Sequence, residues 1–435
     1  MPDGSKLLIH GGRVIDPSQD LDAALDLLIE DGHVTKIDGS IRSPKDAETF
    51  DASGLVVSPG LIDIHVHLRE PGQEYKETVR TGTMAAAAGG FTGVACMANT
   101  DPVNDSRSVT EHILLEARRH GFARVYPVGA ITKGLMGEEL AEIGEMVRAG
   151  ARAISDDGKP VMNAELMRRA LLYAQHFGVR VIQHAEDLNL TGAGVMHEGE
   201  WSTKLGLPGI PGSSEDVIVA RDILLAEDTA GRYHVAHLST ARSLDMVRRA
   251  KAQASPKIDV TCEVSPHHLI LTDEEVARSG FSTNAKMKPP LRSGKDREAL
   301  LNGLADRNAV DCIASDHAPH HADEKDVQFS LAPFGIVGLE TTLSLCLDRL
   351  VRPGIISLPR LVELLSTGPA RVLGLPGGTL KEGSPADVTV FHPDAEVTLR
   401  AAAFRSKGKN TPFDGWKLRG HPVATFLEGR RITVS

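Results

Sequence analysis

The sequence predicts an α/β protein: a (β/α)8 TIM-type barrel with a small β-sandwich domain formed from both chain termini. Three observations predict it. Short apolar strands alternate with amphipathic helices through the middle of the chain, as βα units of a parallel sheet do. Eight such units occupy about 260 residues, the size of such a barrel. Both ends are instead rich in short strands and turn pairs and lack long helical periodicity. An open doubly wound sheet is the alternative, but it would place a glycine-rich phosphate turn after its first strand, where this chain reads His-Val-His.

At the N-terminus, LLIHGGRVID, LDLLIED and HVTKID read as strands, with Asp31-Gly32 as a hairpin turn. The barrel strands follow in order: GLIDIHVH, GVACMA, RVYPVGAIT, ARAISDD, VRVIQHAED, RYHVAHLS, KIDVTCEVSP and VDCIASDH. Between them lie helical stretches such as SVTEHILLEARRHG, EELAEIGEMVRAG, NAELMRRALLYAQHFG and EDVIVARDILLAEDTAG, several ended by glycine. The C-terminus returns to strands, ADVTVFHP and ATFLEGRRITVS, with Glu428-Gly429 as the turn. The expected domains are therefore 1–56 with 371–435, a composite β unit, and 57–370, the barrel.

Composition narrows the function. The 435 residues are 41% hydrophobic and 24% charged, with a formal net charge of −10 and no basic block. Nucleic acid and an acidic lipid surface are therefore not expected partners. The four cysteines are far apart, without a C-x-x-C pair. There is no charged and apolar leader and no run of eighteen apolar residues. The expectation is a cytoplasmic protein with reduced thiols and a small-molecule substrate.

The chemistry gathers at strand ends. In GLIDIHVHLREPG, period-two alternation puts Asp63, His65, His67 and Arg69 on one face. Strand four ends in Asp156 and Asp157, strand five in His184, strand six in His237, and strand eight in Asp316, followed by His317 and His320. In a barrel these ends share one mouth. Four imidazoles and two carboxylates without thiolate suit zinc, or manganese or cobalt in its place. They exceed one tetrahedral site and would serve two metals sharing a carboxylate, an arrangement that hydrolyses amides. Spacing alone leaves open which aspartate of strand four is the ligand. His10, His112, His176, His234 and His421 read as surface or core residues, His267 and His268 as neighbours of the site, and Asp63 as a residue that orients a ligand histidine.

Through these residues and seven longer motifs, the chain resembles the dihydroorotases. The motifs are DIHVHLREPG, NTDP at 99–102, HEGEWSTKLGLPGIPGSSED at 197–216, SPHHL at 265–269, KPPLR at 288–292, ASDHAPHHADEK at 314–325 and APFGIVGLE at 332–340. The likeness is to the class I bacterial type within the amidohydrolase superfamily and spans nearly the whole chain. Hydantoinases and allantoinases share the histidines but usually carry a carbamylated lysine on strand four. Here that strand offers aspartates, and Lys159 lies past its end.

The resemblance implies reversible cyclisation of N-carbamoyl-L-aspartate to L-dihydroorotate with loss of water, in pyrimidine synthesis. It implies two Zn2+ ions per subunit: His65 and His67 on the first, Asp157 shared, His184 and His237 on the second. Asp316 would touch the first metal and act as general acid and base. Arg69, Asn99 and His320 would hold the substrate carboxylate, His67 would also border the substrate, and Pro333, Phe334 and Gly335 would offer backbone contacts to its ring. Lys288 is a departure, since the family commonly has asparagine before PPLR; a cation there is expected near the substrate. A homodimer and association with aspartate carbamoyltransferase are open. The rival readings are a hydantoinase or allantoinase and an inert scaffold for that transferase, the latter disfavoured because every ligand position is filled.

Overall fold

Strands that are apolar on both faces must be covered on both faces, and the middle of this chain folds accordingly. The computed structural model describes residues 5–253 and 258–434. β1 (Leu61–Val66) and β2 (Phe91–Cys96) are buried at every position. They are followed by β3 (Arg124–Gly129), β4 (Ala153–Ser155), β5 (Arg180–Gln183), β6 (Arg232–Val235), β7 (Asp259–Val264) and β8 (Cys312–Ile313). Neighbours in chain order pair in parallel from β1 to β8. A parallel bridge between Val66 and His317 brings the chain after β8 back to β1, with the His67 N–H donating to the His317 carbonyl at 2.9 Å. Each strand of the eightfold reading is present; the reading of β7 began at Lys257, which lies outside the described residues.

Crossover helices α1 (Val79–Ala88), α2 (Arg107–His120), α3 (Ile143–Ala149), α4 (Ala164–Gln175), α5 (Ser213–Thr229), α6 (Ala241–Ala252) and α7 (Gly294–Leu304) pack outside the strands. Side-chain caps start several of them: Thr78 for α1, Asn163 for α4, Thr240 for α6 and Ser293 for α7. Only α3 departs clearly from the sequence reading, starting at Ile143 rather than near Glu138. The intervening backbone instead bonds the loop after β3, with Ala141 N–H donating to Ile131 O and Lys133 N–H to Glu139 O, each at 2.9 Å. The barrel interior is filled below the mouth by Ile62, Ile64, Ala95, Tyr126, Ile182 and Cys312, so it is a packed core and not a pore.

Both termini form one eight-stranded sheet. Asp31 and Gly32 both hold positive φ in the hairpin between Leu21–Glu30 and His33–Asp38, as do Glu428 and Gly429 near the C-terminus. The long strand Lys6–Asp16 is bulged between Ile9 and Gly12. Before the bulge it pairs with Ala47–Asp51, and beyond it with Val56–Pro59. The sheet forks there, and Leu7, Ile9, Leu27, Val57, Val388 and Phe426 belong to the core it encloses. Val56–Pro59 also pairs with the C-terminal strand Val388–Thr398 and then runs directly into β1. The β unit is therefore tied to the strand that carries the first two histidines. Among the described residues, no helix is long and apolar enough to cross a membrane.

Candidate active site

The C-terminal ends of the strands deliver their polar residues to one mouth. A cavity of about 330 Å3 is lined there by residues that include His67, Arg69, Asn99, Asp157, His184, His237, Lys288, Asp316, His320, Phe334 and Gly335. His65, wholly buried, lies against Asp157 and Asp316 from below. Every site residue expected from the sequence is thus brought together.

Three of them sit in backbone that side chains rarely adopt. Arg69, His237 and Asp316 hold φ of 62°, 32° and 48°. The chain leaves the strand at each point, and the left-handed residue turns its side chain into the mouth. The strict alternation read from the sequence does not hold along this strand: its ladder with β2 is irregular between Asp63 and Val66, Ile62 and Ile64 belong to the interior core, and Arg69 reaches the cavity through its left-handed turn.

The imidazoles converge on two carboxylates. Asp157 Oδ1 lies 3.3 Å from His65 Nε2, 3.3 Å from His237 Nε2 and 3.5 Å from His184 Nδ1. Its Oδ2 is 3.5 Å from His67 Nε2. Asp316 Oδ1 is 3.3 Å from His67 Nε2 and 3.5 Å from His65 Nε2. Asp157 thereby belongs both to a group with His65 and His67 and to a group with His184 and His237, each compact enough for one ion. His65 Nε2 and Asp316 Oδ2 are buried without a hydrogen-bond partner. Buried lone pairs left without a partner are unfavourable unless a cation takes them. Nitrogen and oxygen donors of this kind fit zinc or a similar divalent metal.

Electrostatics agree. Burial alone would raise the Asp157 carboxyl, but His65, His184 and His237 hold it well below the usual carboxylate range. Burial likewise opposes ionisation of Asp316, and His65, His67 and His237 overcome it. Asp156 differs: burial pushes it up to about 6, and it faces away. Its Oδ1 accepts the N–H groups of Ile131 and Thr132 at 2.7 and 2.9 Å, and its Oδ2 accepts the Thr132 hydroxyl. The choice between the two aspartates, open from spacing, falls geometrically on Asp157.

Three of the four ligand-type histidines are held from behind, whereas His237 Nδ1 is buried without a partner. His67 Nδ1 lies 2.9 Å from Asn99 Oδ1, His65 Nδ1 2.5 Å from Glu263 Oε1, and His184 Nε2 3.2 Å from Glu186 Oε2. Asp63 acts on backbone, accepting the His65 N–H at 3.1 Å and the Ser315 N–H. Asn99 spends its carbonyl on His67, which leaves its amide N–H groups for a ligand. Arg69 donates Nε–H to Pro319 O at 3.3 Å, and burial lowers its guanidinium to about 10, still a cation at neutral pH. His320 Nε2–H donates to Phe334 O at 2.8 Å.

Lys288 lines the mouth, where the sequence expects a cation, and is ion-paired there. Its Nζ is 2.9 Å from Glu186 Oε2 and 5.3 Å from the centre of the Phe334 ring.

Sequence reasoning missed Glu186, Glu263 and Asn410. A glutamate inside the apolar strand KIDVTCEVSP was a signal, because buried glutamates need partners. Glu186 follows His184 by two residues. Asn410 gave none: it reaches the rim from the C-terminal segment, donating from Nδ2 to Ala318 O and Gly335 O at 2.9 and 3.0 Å.

Known proteins resemble this chain over nearly its whole length. Residues 54–243 match the dihydro-orotase-like family model. A dihydroorotase of Geobacter metallireducens is 54% identical over 426 residues, covering 98% of this chain and 99% of the relative. One from Anaeromyxobacter dehalogenans strain 2CP-C is 56% identical, covering 98% and 97%. Among solved structures, the L-hydantoinase of Arthrobacter aurescens superposes with a TM-score of 0.88 at 25% identity, over 99% of this chain and 96% of that one. A dihydropyrimidinase from Brevibacillus agri NCHU1002 gives 0.86 at 24%, over 98% and 95%. The structural likeness carries the barrel with its terminal β unit, and the near full-length identity to curated relatives carries more: this chain belongs to the dihydroorotase family of cyclic amide hydrolases.

Proposed function

We propose that this chain is a dihydroorotase of the class I bacterial type. It interconverts N-carbamoyl-L-aspartate and L-dihydroorotate in pyrimidine synthesis and carries two zinc ions per chain. The observation that carries the reading is the Asp157 carboxylate set among His65, His67, His184 and His237, at the strand-four position where a hydantoinase-type site would hold a lysine. Lys159 is exposed and outside this cluster. We assign 1–56 with 371–435 to the β unit and 57–370 to the barrel, the strand Val56–Pro59 running across that boundary from the terminal sheet toward β1.

His65, His67, Asp157 and Asp316 would hold the first metal, and Asp157, His184 and His237 the second. Bound there, the metals supply Lewis acidity toward the ring amide and water acidic enough to attack near neutral pH. The protein's own residues do the rest. Asp316, with one oxygen free of protein partners, takes the proton of the attacking water and returns it to the departing amide nitrogen. The Arg69 guanidinium and the Asn99 amide N–H groups receive the substrate carboxylate, as Arg suits a planar anion. His320 fixes the Phe334 carbonyl, so the ring-facing wall at Phe334 and Gly335 is set before substrate enters. Lys288, shared between Glu186 and the cavity, adds positive charge beside that wall.

The test is a substrate panel. Metal-loaded protein should hydrolyse L-dihydroorotate and form it from N-carbamoyl-L-aspartate, with hydantoin and allantoin turned over far more slowly. Preference for hydantoin or allantoin would overturn the proposal.

A further inference from the structure

Glu263 lies on β7, within the barrel, and is buried with His65 and His234. Its two oxygens have separate duties. Oε1 is 2.5 Å from His65 Nδ1 and also accepts the His237 N–H at 3.3 Å. Oε2 is 3.2 Å from His234 Nε2, and His234 Nδ1 is 2.7 Å from Thr261 Oγ1. One carboxylate thus touches a residue from each group around Asp157: the ring of His65 in the first, the backbone of His237 in the second.

We infer that Glu263, braced by His234, is the positioning residue that fixes the tautomer and aim of His65 and ties the two halves of the metal centre together. A carboxylate at Nδ1 keeps the proton there. Nε2 is then left as a lone pair, and Nε2 is the atom that faces Asp157 and Asp316 without a hydrogen-bond partner. Without the carboxylate the proton could reside on Nε2, and the ring would then donate to Asp157 or Asp316 in place of binding a cation. His234 serves Glu263 by occupying its second oxygen, which stops the carboxylate from rotating away from His65. This gives His234, unremarkable in the sequence, a role two contacts removed from His65.

The inference rests on the proposed metal centre, and the experiment separates the two. Zinc affinity is measured by competition with a chromophoric chelator, alongside the visible spectrum of the Co2+-substituted protein and the melting temperature of the chelated protein. Wild-type protein without tightly held metal would overturn the centre itself. With wild-type protein holding two ions, Glu263→Gln and Glu263→Ala should weaken the ion at His65 by ~10–100-fold, the usual cost of losing such a partner. They should also alter the Co2+ spectrum, while chelated Glu263→Gln melts near wild type. His234→Ala should give a smaller loss, and His234→Ala combined with Glu263→Ala should be no worse than Glu263→Ala alone. Unchanged affinity in both Glu263 variants would overturn the inference. So would a lower melting temperature with unchanged affinity, or additive losses in the double variant.

Discussion

Asp156 and Asp157 are neighbours with opposite surroundings. Asp157 meets four imidazoles, while Asp156 closes hydrogen bonds with Ile131 and Thr132. Their variants should separate accordingly. Asp157→Ala should lose bound metal and activity together, because it removes the one carboxylate common to both groups. Asp156→Ala should keep its metal and lose ~1–3 kcal/mol of stability, the cost of orphaning buried donors. Metal analysis of the two purified variants, with denaturant unfolding of the chelated proteins, reads both effects; metal loss confined to Asp156→Ala would reverse the assignment. The residue scale was also the most legible from sequence, since His65, His67, His184, His237 and Asp316 each end a recognisable strand. Glu263 was not, because its partner lies on another element, and Glu186 was passed over although His184 stands two residues before it. Glu263 is 198 positions from His65, and no local pattern spans that gap.

At the scale of elements, the mouth depends on a loop held by two buried lysines. Lys325 donates to Pro333 O at 2.8 Å and Thr283 O at 3.1 Å, and Lys286 to Phe329 O at 2.8 Å and Ser330 O at 3.0 Å. Both ammonium groups face carbonyls, and burial lowers Lys325 to about 7 and Lys286 to about 8. Gly335 follows at φ 152°; a Cβ there would lie 2.7 Å from Ala318 O and 2.8 Å from the His320 ring. The motif lysine that ends ASDHAPHHADEK thus pins the wall that Phe334 and Gly335 present. Lys325→Met keeps the stem and removes the donors. It should raise KM for L-dihydroorotate by up to ~10-fold, which corresponds to about 1.4 kcal/mol, with metal content unchanged. Steady-state kinetics with metal analysis checks this, and an unchanged KM would show that the loop holds its shape without the ammonium. The strands and most helices were readable because their apolar periodicity is local. The start of α3 was not, because the Glu138–Glu142 backbone finds its partners in the loop after β3.

For the molecule as a whole, the alternation of strands and helices was enough to reach the barrel, and turn pairs at both ends were enough to reach a shared β unit. The forked sheet was beyond sequence reasoning, since one strand changing partners at a bulge, from Ala47–Asp51 to Val56–Pro59, leaves no local pattern in its own residues. The site is assembled from the ends of several barrel strands and a rim clamped by Asn410 from the C-terminal segment, so its chemistry belongs to the complete fold. The central claim is that the histidines and aspartates at this mouth hold metal in order to open and close the dihydroorotate ring. The direct test follows L-dihydroorotate hydrolysis by the intact protein as metal is stripped with chelator and then returned, with bound metal counted at each stage. Activity should vanish on stripping, return with Zn2+, Co2+ or Mn2+, and scale with occupancy up to two ions per chain. Full activity in protein shown to be metal-free would contradict the account.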